Sequence, residues 1–189
     1  MSGATRGEAD VVLVQLAAFV AEIPRLKWFA TVGTVLTPSV ITAAERYVAA
    51  LGLAPCPVTP VSGWRDAAAT AQRSDWSRDW WQAESACEQG LQRQGAVRFG
   101  QEPLLVALTT ITESASMLRD RAAAALARAG LDDEALAKVA GGAAAQACHQ
   151  NGLALLAGGE AGRAFAAKTE LFAAGRWPLG IVGGTCFVF

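Results

Sequence analysis

The residues with the clearest chemical potential are a tryptophan cluster beside two acidic side chains. Trp76, Trp80 and Trp81 are followed by Glu84 and Glu88. On a helix, residues three or four apart share a face. This spacing places the first two indoles on one face, and the third indole with both carboxylates on the next. An aromatic wall beside paired acids suits a flat ligand, a cation or a metal. The alternative is that the first face packs into the core and the carboxylates are solvated.

A second group of polar residues lies in the hydroxyl-rich stretch 109–116. Serine and threonine are mediocre helix formers, yet here they crowd the middle of a predicted helix. Thr109, Glu113 and Ser116 share one side of that helix, away from its leucine and isoleucine stripe. They form either a solvated face of short polar residues or the polar lining of a ligand cavity.

His149 is the only histidine, and glycine and alanine surround it along its predicted helical face. Such small neighbours leave room for either a closely packed helix or a bound group. A single histidine excludes the paired Glu-x-x-His motifs of di-iron bundles. An axial haem ligand, or one metal held by His149 with Glu84, Glu88 and Glu113, stays open. So does an ordinary structural histidine. The sequence identifies no cofactor.

Recognised catalytic motifs are absent from the sequence. It contains no nucleophile elbow, phosphate-binding loop or dinucleotide fingerprint. Its four cysteines are far apart and form no C-x-x-C pair, which disfavours a zinc ribbon or a thioredoxin-like motif. The four cysteines are Cys56, Cys87, Cys148 and Cys186. Cysteines scattered in this way are most often reduced and buried. No catalytic residue can be assigned.

The composition indicates an unusually apolar protein of 189 residues. Hydrophobic residues make up 52% and charged residues 17%, and the mean hydropathy is +0.28. Average soluble proteins carry about 25% charged residues. The surface therefore contains much apolar area, or is covered by another copy or a partner. A net charge of -1 offers no footprint for nucleic acid.

Membrane insertion and secretion are also disfavoured. The longest apolar run, residues 11–21, is shorter than the roughly 20 residues that a bilayer span needs. Glu8 and Asp10 precede it, where a secretion signal would carry positive charge. We therefore expect a cytoplasmic protein.

Helical periodicity dominates the chain. We expect disorder over residues 1–9 and one helical domain over 10–189, with a proline-rich connector at 54–63. Start and stop signals define helices near residues 10–23, 38–51, 64–94, 103–129, 133–157 and 160–174. Alternating strand and helix units are absent. The predicted fold is all-α: a single bundle of five to six helices, with a short extended apolar C-terminal segment packed on it.

That C-terminal segment, residues 177–189, supplies the partner-binding hypothesis. It carries no charged side chain and includes Trp177, Phe187 and Phe189. An extended apolar end of this kind can add a strand to a partner's sheet and place alternate side chains in pockets. The alternative is that it folds back along its own bundle. If the protein binds a partner or assembles with itself, removing residues 182–189 should abolish the association or the fold.

Two function hypotheses follow from these patterns. The first is a non-catalytic helical protein that binds a protein partner or assembles into a homo-oligomer, supported by the low charge and the apolar segment. The second is a bundle that binds a small ligand, haem or a single metal, with or without enzymatic activity. It would use His149 and Glu113 as ligand or general base and Trp81 as a stacking wall.

Overall fold

A computed structural model describes residues 6–189, and within that range the chain is mostly helical. Eight α-helices follow one another: α1 (Arg6–Glu22), α2 (Pro38–Ala50), α3 (Trp64–Ala71), α4 (Arg78–Phe99), α5 (Gln101–Ser114), α6 (Leu118–Arg128), α7 (Glu134–Ala157) and α8 (Arg163–Ala173). Three short strands complete the fold: β1 (Val58–Pro60), β2 (Pro178–Val182) and β3 (Thr185–Val188). None of these helices is long and apolar enough to cross a membrane.

The predicted helical fold, with an extended apolar C-terminal segment packed on it, is confirmed. Helices are more numerous than predicted because two of the predicted ones are each divided, at residues 72–77 and at 115–117. At the N-terminal end, α1 begins at Arg6. Residues 1–5 of the segment predicted to be disordered lie outside the described residues.

Local capping explains where several helices begin. Thr37 accepts a hydrogen bond from the Val40 amide at 3.4 Å, and Pro38 occupies the first turn of α2. Asp133 accepts one from the Leu136 amide at 2.9 Å and so caps α7. Such caps satisfy amide groups that have no partner within the helix.

Helix α7 is the central element of the bundle, and α1, α4, α5, α6 and α8 all contact it. Its buried positions are dominated by alanine and glycine, which let neighbouring helices approach closely. The closest approach of another helix's backbone is at Gly141, where an added Cβ would lie 2.6 Å from Arg119 Cα on α6. Gly142 has no neighbour within 4 Å of such a Cβ.

This contrast gives a matched pair of variants. We expect Gly141→Ala to lower the free energy of unfolding by about 1–3 kcal/mol, because the backbone of α6 must move. Gly142→Ala should instead raise it by up to about 1 kcal/mol, because alanine favours the helix and meets no obstacle. Urea unfolding measures both values. Equal effects of the two substitutions would contradict the close contact between α6 and α7.

The C-terminal segment folds into a hairpin on the chain's own helices. Strand β3 is central, antiparallel to β2 and parallel to β1 from the proline-rich connector. Gly183 and Gly184 form the two-residue turn with φ of 54° and 73°, a conformation that favours glycine. Beyond the strands, the backbones of Trp177 and Phe189 exchange two hydrogen bonds, at 2.6 and 2.9 Å.

Aromatic side chains join this hairpin to the helices. The Phe189 ring meets that of Trp64 edge-on, with centroids 4.9 Å apart. The Trp177 ring meets that of Phe29 edge-on at 6.4 Å. We call the full set the aromatic cluster: Trp28, Phe29, Trp64, Phe172, Trp177 and Phe189. On the other side, Ile181, Cys186 and Val188 of the hairpin belong to a second core with α2 and α8.

Candidate functional site

A buried ion pair lies at the centre of the predicted tryptophan–carboxylate cluster. Glu84 Oε1 on α4 contacts Lys168 Nζ on α8, and the two side chains are 8% and 9% exposed. The Tyr47 hydroxyl on α2 donates to the same oxygen at 2.8 Å. Trp80 Nε1 in turn donates to the Tyr47 oxygen at 2.7 Å. Three helices are therefore joined through one carboxylate oxygen.

The environment of Tyr47 keeps it a hydrogen-bond donor. Burial raises the pKa of its phenol well above the ordinary value, and the negative charge of Glu84 raises it further. Lys168 Nζ also lies 5.9 Å from the centre of the Tyr47 ring. The phenol therefore stays protonated near neutral pH and donates its hydrogen bond to Glu84 Oε1.

Two glutamines on α7 extend this network to Glu88. Lys168 donates to Gln150 Oε1 at 3.0 Å. Gln150 and Gln146 then donate through Nε2 to Glu88 Oε2, each at 2.9 Å. Glu88 forms no ion pair with a lysine or arginine of the described residues. Its negative charge is therefore solvated by amides rather than neutralised.

A cavity of about 370 Å³ lies over this network between α4 and α7, and we call it the polar pocket. The third indole of the predicted cluster and both carboxylates line this pocket, and the other lining residues are serine and glutamine. The full lining is Trp81, Glu84, Ser85, Glu88, Gln89, Gln92, Gln146 and Gln150. The structure thus brings Trp81, Glu84 and Glu88 together, as the helical spacing predicts.

The other two tryptophans face the protein interior. Trp80 is buried and stacks on the half-buried Trp76, with centroids 5.7 Å apart. Trp76 also forms an isolated β-bridge with Val182 of the hairpin. Trp81 is 54% exposed, and its ring lies 4.7 Å from that of Trp80. Of the three, only Trp81 lines the polar pocket.

The hydroxyl-rich stretch forms a solvated face on α5 and the turn that follows it. Thr109, Glu113 and Ser116 are all exposed. The hydroxyls of Thr110, Thr112 and Ser114, which lie between these positions in sequence, each donate to the backbone carbonyl four residues earlier, at 2.9–3.0 Å. Such bonds satisfy the hydroxyls locally and explain how these residues remain helical.

His149 is half-buried on α7. Across the described part of the chain, no three His, Cys, Asp or Glu side chains are grouped so as to hold a metal ion. The predicted metal ligands are not assembled: Glu84 pairs with Lys168, Glu88 accepts bonds from two glutamines, and Glu113 is solvent-exposed.

The cysteines are free thiols in surroundings that disfavour the thiolate. Burial raises the pKa of Cys148 to about 12. Burial, with the nearby Cys56, does the same for Cys186. The thiolate is the reactive form of cysteine, so these two side chains remain unreactive near neutral pH.

The residues predicted to bind a partner are docked inside the chain itself. Trp177 and Phe189 belong to the aromatic cluster and are buried. Phe187 is half-buried, and the Arg73 guanidinium lies 5.8 Å from the centre of its ring. The structure therefore places this segment on its own bundle, the second of the two arrangements that the sequence leaves open.

An exposed apolar surface lies elsewhere, where α1 meets α5. Helix α1 buries Val12 and Leu16 but leaves Val11, Leu13 and Val14 between 50% and 69% exposed. A groove of about 670 Å³ runs between the helices, and only Glu102 and Thr110 among its ten lining residues are polar. The full lining is Leu13, Leu16, Ala17, Val20, Ala21, Glu102, Pro103, Val106, Ala107 and Thr110. We call this surface the α1–α5 face.

Comparisons with protein-family models, with curated proteins and with solved structures found no match to this chain. The chemistry of the chain's own surfaces therefore has to indicate its function. Two of them differ sharply in character. The polar pocket concentrates acceptor oxygens, whereas the α1–α5 face exposes apolar side chains with almost no charge.

Proposed function

We propose that this chain is a non-catalytic protein that assembles with a second copy of itself through the α1–α5 face. The observation that carries this proposal is the character of α1. Residues 11–21 are apolar on every side apart from Gln15, yet only one side of the helix packs on the bundle. A helix that is apolar all round is normally buried all round.

The size and composition of the face support a copy of the same chain as the occupant. The 17-residue α1 is about 25 Å long, sufficient for one side of a helix-pair interface. The face carries both a groove and projecting side chains, Val14 and Val106, so it offers the self-complementarity that a two-fold interface needs. Homodimer interfaces are also more apolar than transient ones.

Sedimentation equilibrium tests this assembly directly. We expect the wild-type chain to be dimeric at micromolar concentrations. A variant with Val14→Glu and Val106→Glu should be monomeric, because each carboxylate would be buried without a partner in the interface. Both positions are well exposed in the single chain, so the fold should persist, which circular dichroism checks.

Val35→Glu is the matched control. Val35 is 86% exposed and lies outside the face, so the added charge there should leave the dimer intact. A wild-type chain that stays monomeric at every concentration would overturn the proposal. Retention of the dimer in the double variant would show that a different surface is used.

A further inference from the structure

The hydrogen bonds of the polar pocket leave acceptors free. Gln146 and Gln150 both donate to Glu88 Oε2, and Gln89 Nε2 donates to Ser85 Oγ at 3.2 Å. Lys168 does not line the pocket, because it lies behind Glu84 and Gln150. Glu88 Oε1 accepts no hydrogen bond from the described residues. The pocket is therefore suited to a molecule that donates hydrogen bonds.

Glu84 supplies a second, independent indication of a ligand. Its side chain is more than nine-tenths buried and lines the pocket. Both of its hydrogen bonds, from Tyr47 and Lys168, end on Oε1. Among the described side chains, Arg176 Nε is the only fully enclosed nitrogen or oxygen without a partner. Glu84 Oε2, which also has none, is therefore not fully enclosed, and its side chain lines the pocket. A mostly buried carboxylate oxygen without a donor is costly.

The charge of the pocket selects a cation. Lys168 compensates Glu84, while Glu88 stays uncompensated, so the lining carries about one net negative charge. The field reaches the neighbouring Cys87, where burial and then Glu84 and Glu88 raise the pKa of the thiol. Trp81 adds an exposed indole, whose face attracts cations.

We propose that the polar pocket binds a small molecule through one primary ammonium group, held between Glu84 Oε2 and Glu88 with its alkyl chain against Trp81. A primary ammonium offers three N–H donors to the free oxygens. The volume of about 370 Å³ lies at the lower end of the range for small-molecule sites. This inference is independent of the proposed self-assembly.

The probe for the test is n-butylammonium, titrated into the full-length chain and followed by NMR. The reporters are the indole N–H of Trp81 and the side-chain amides of Gln146 and Gln150. We expect saturable shifts at millimolar concentrations. Glu88→Gln should weaken binding at least about tenfold, because hydrogen bonds to charged groups are the strong ones.

Two further variants and two alternative ligands separate the location of the site, its charge and the hydrogen-bond donors of the ligand. Glu102→Gln removes a carboxylate that lines the α1–α5 groove instead, and should leave the affinity unchanged. Tetramethylammonium has the charge without N–H donors, and n-butanol has the chain without the charge, so both should bind more weakly. Trp81→Leu, at an exposed position, should weaken binding several-fold without unfolding the protein, because leucine offers the alkyl chain less apolar contact area.

Several outcomes would overturn the assignment. Shifts that do not saturate would show that no site exists. Equal affinity for n-butanol or tetramethylammonium would show that the carboxylate oxygens do not select the ligand. An unchanged affinity in Glu88→Gln and in Trp81→Leu would place the binding elsewhere on the chain.

Discussion

Replacing Phe189 with alanine is expected to lower the free energy of unfolding by about 3–5 kcal/mol. The Phe189 ring is 1% exposed and packs edge-on against Trp64. Alanine retains both backbone hydrogen bonds to Trp177, so the loss would come from the side chain alone. Urea unfolding followed by circular dichroism measures it.

Phe187→Ala is the matched control, because it removes the same side chain two residues earlier. Phe187 is only half-buried, and the Arg73 guanidinium lies 5.8 Å from the centre of its ring. Removing this side chain should lower the free energy of unfolding by less than about half as much as Phe189→Ala does, since less apolar area returns to water. Equal losses would contradict the internal docking of Phe189.

The same docking changes what a truncation can show. Removing residues 182–189 deletes β3, the strand that pairs with both β1 and β2. It also deletes Phe189 from the aromatic cluster. The expected result is loss of the fold itself, so truncation is not a clean test of partner binding. The double variant with Val14→Glu and Val106→Glu on the α1–α5 face separates association from folding.

Helices that depend on local signals could be predicted from the sequence. The pair Thr37 and Pro38 defines the start of α2 through one side-chain cap and one proline, both within a single turn. The break at residues 72–77 has one local signal, Ser77, which accepts a hydrogen bond from the Trp80 amide at 3.2 Å and caps α4. It has no proline or glycine that would end the preceding helix. There Trp76 bridges to Val182, and the Ser77 amide donates to the Ile181 carbonyl at 3.0 Å. Contacts from residues about a hundred positions away end that helix.

Strand β1 could not be predicted for a similar reason. Its three residues lie in the proline-rich connector and include Pro60, and nothing local requires them to be a strand. They become one because β3 pairs with them, with Val58 opposite Cys186 and Pro60 opposite Val188. Pairing at this separation depends on where the bundle places each segment.

The candidate site could be predicted only in part. Helical spacing correctly placed Trp81, Glu84 and Glu88 together, because all three lie on one helix. Lys168 was not predicted, since it is 84 positions from its partner. A signal is present, however: Lys168 lies at helical spacing from buried apolar residues of α8, namely Ala164, Phe165, Leu171 and Phe172. A lone lysine on such a face indicates a buried acidic partner.

That ion pair gives the second large expected effect. Lys168→Met should lower the free energy of unfolding by about 3–5 kcal/mol, because Glu84 would keep a buried charge without its cation. Glu84→Gln should also destabilise the chain, since the Lys168 ammonium would then be uncompensated. Arg46→Met is the control. Arg46 pairs with Glu170 on the same helix α8, but both side chains are exposed, and its loss should cost at most about 1 kcal/mol.

The double variant decides whether the pair acts as a unit. With Glu84→Gln and Lys168→Met together, no uncompensated charge remains, and the amide oxygen introduced by the first substitution can still accept from Tyr47. We expect the double variant to be more stable than the Lys168→Met protein, and urea unfolding of all four chains gives the coupling energy. Additive losses would show that the two charges do not depend on each other. A strong coupling would show that the Glu84 carboxylate and the Lys168 ammonium stabilise the fold as a unit, as their contact at Oε1 indicates.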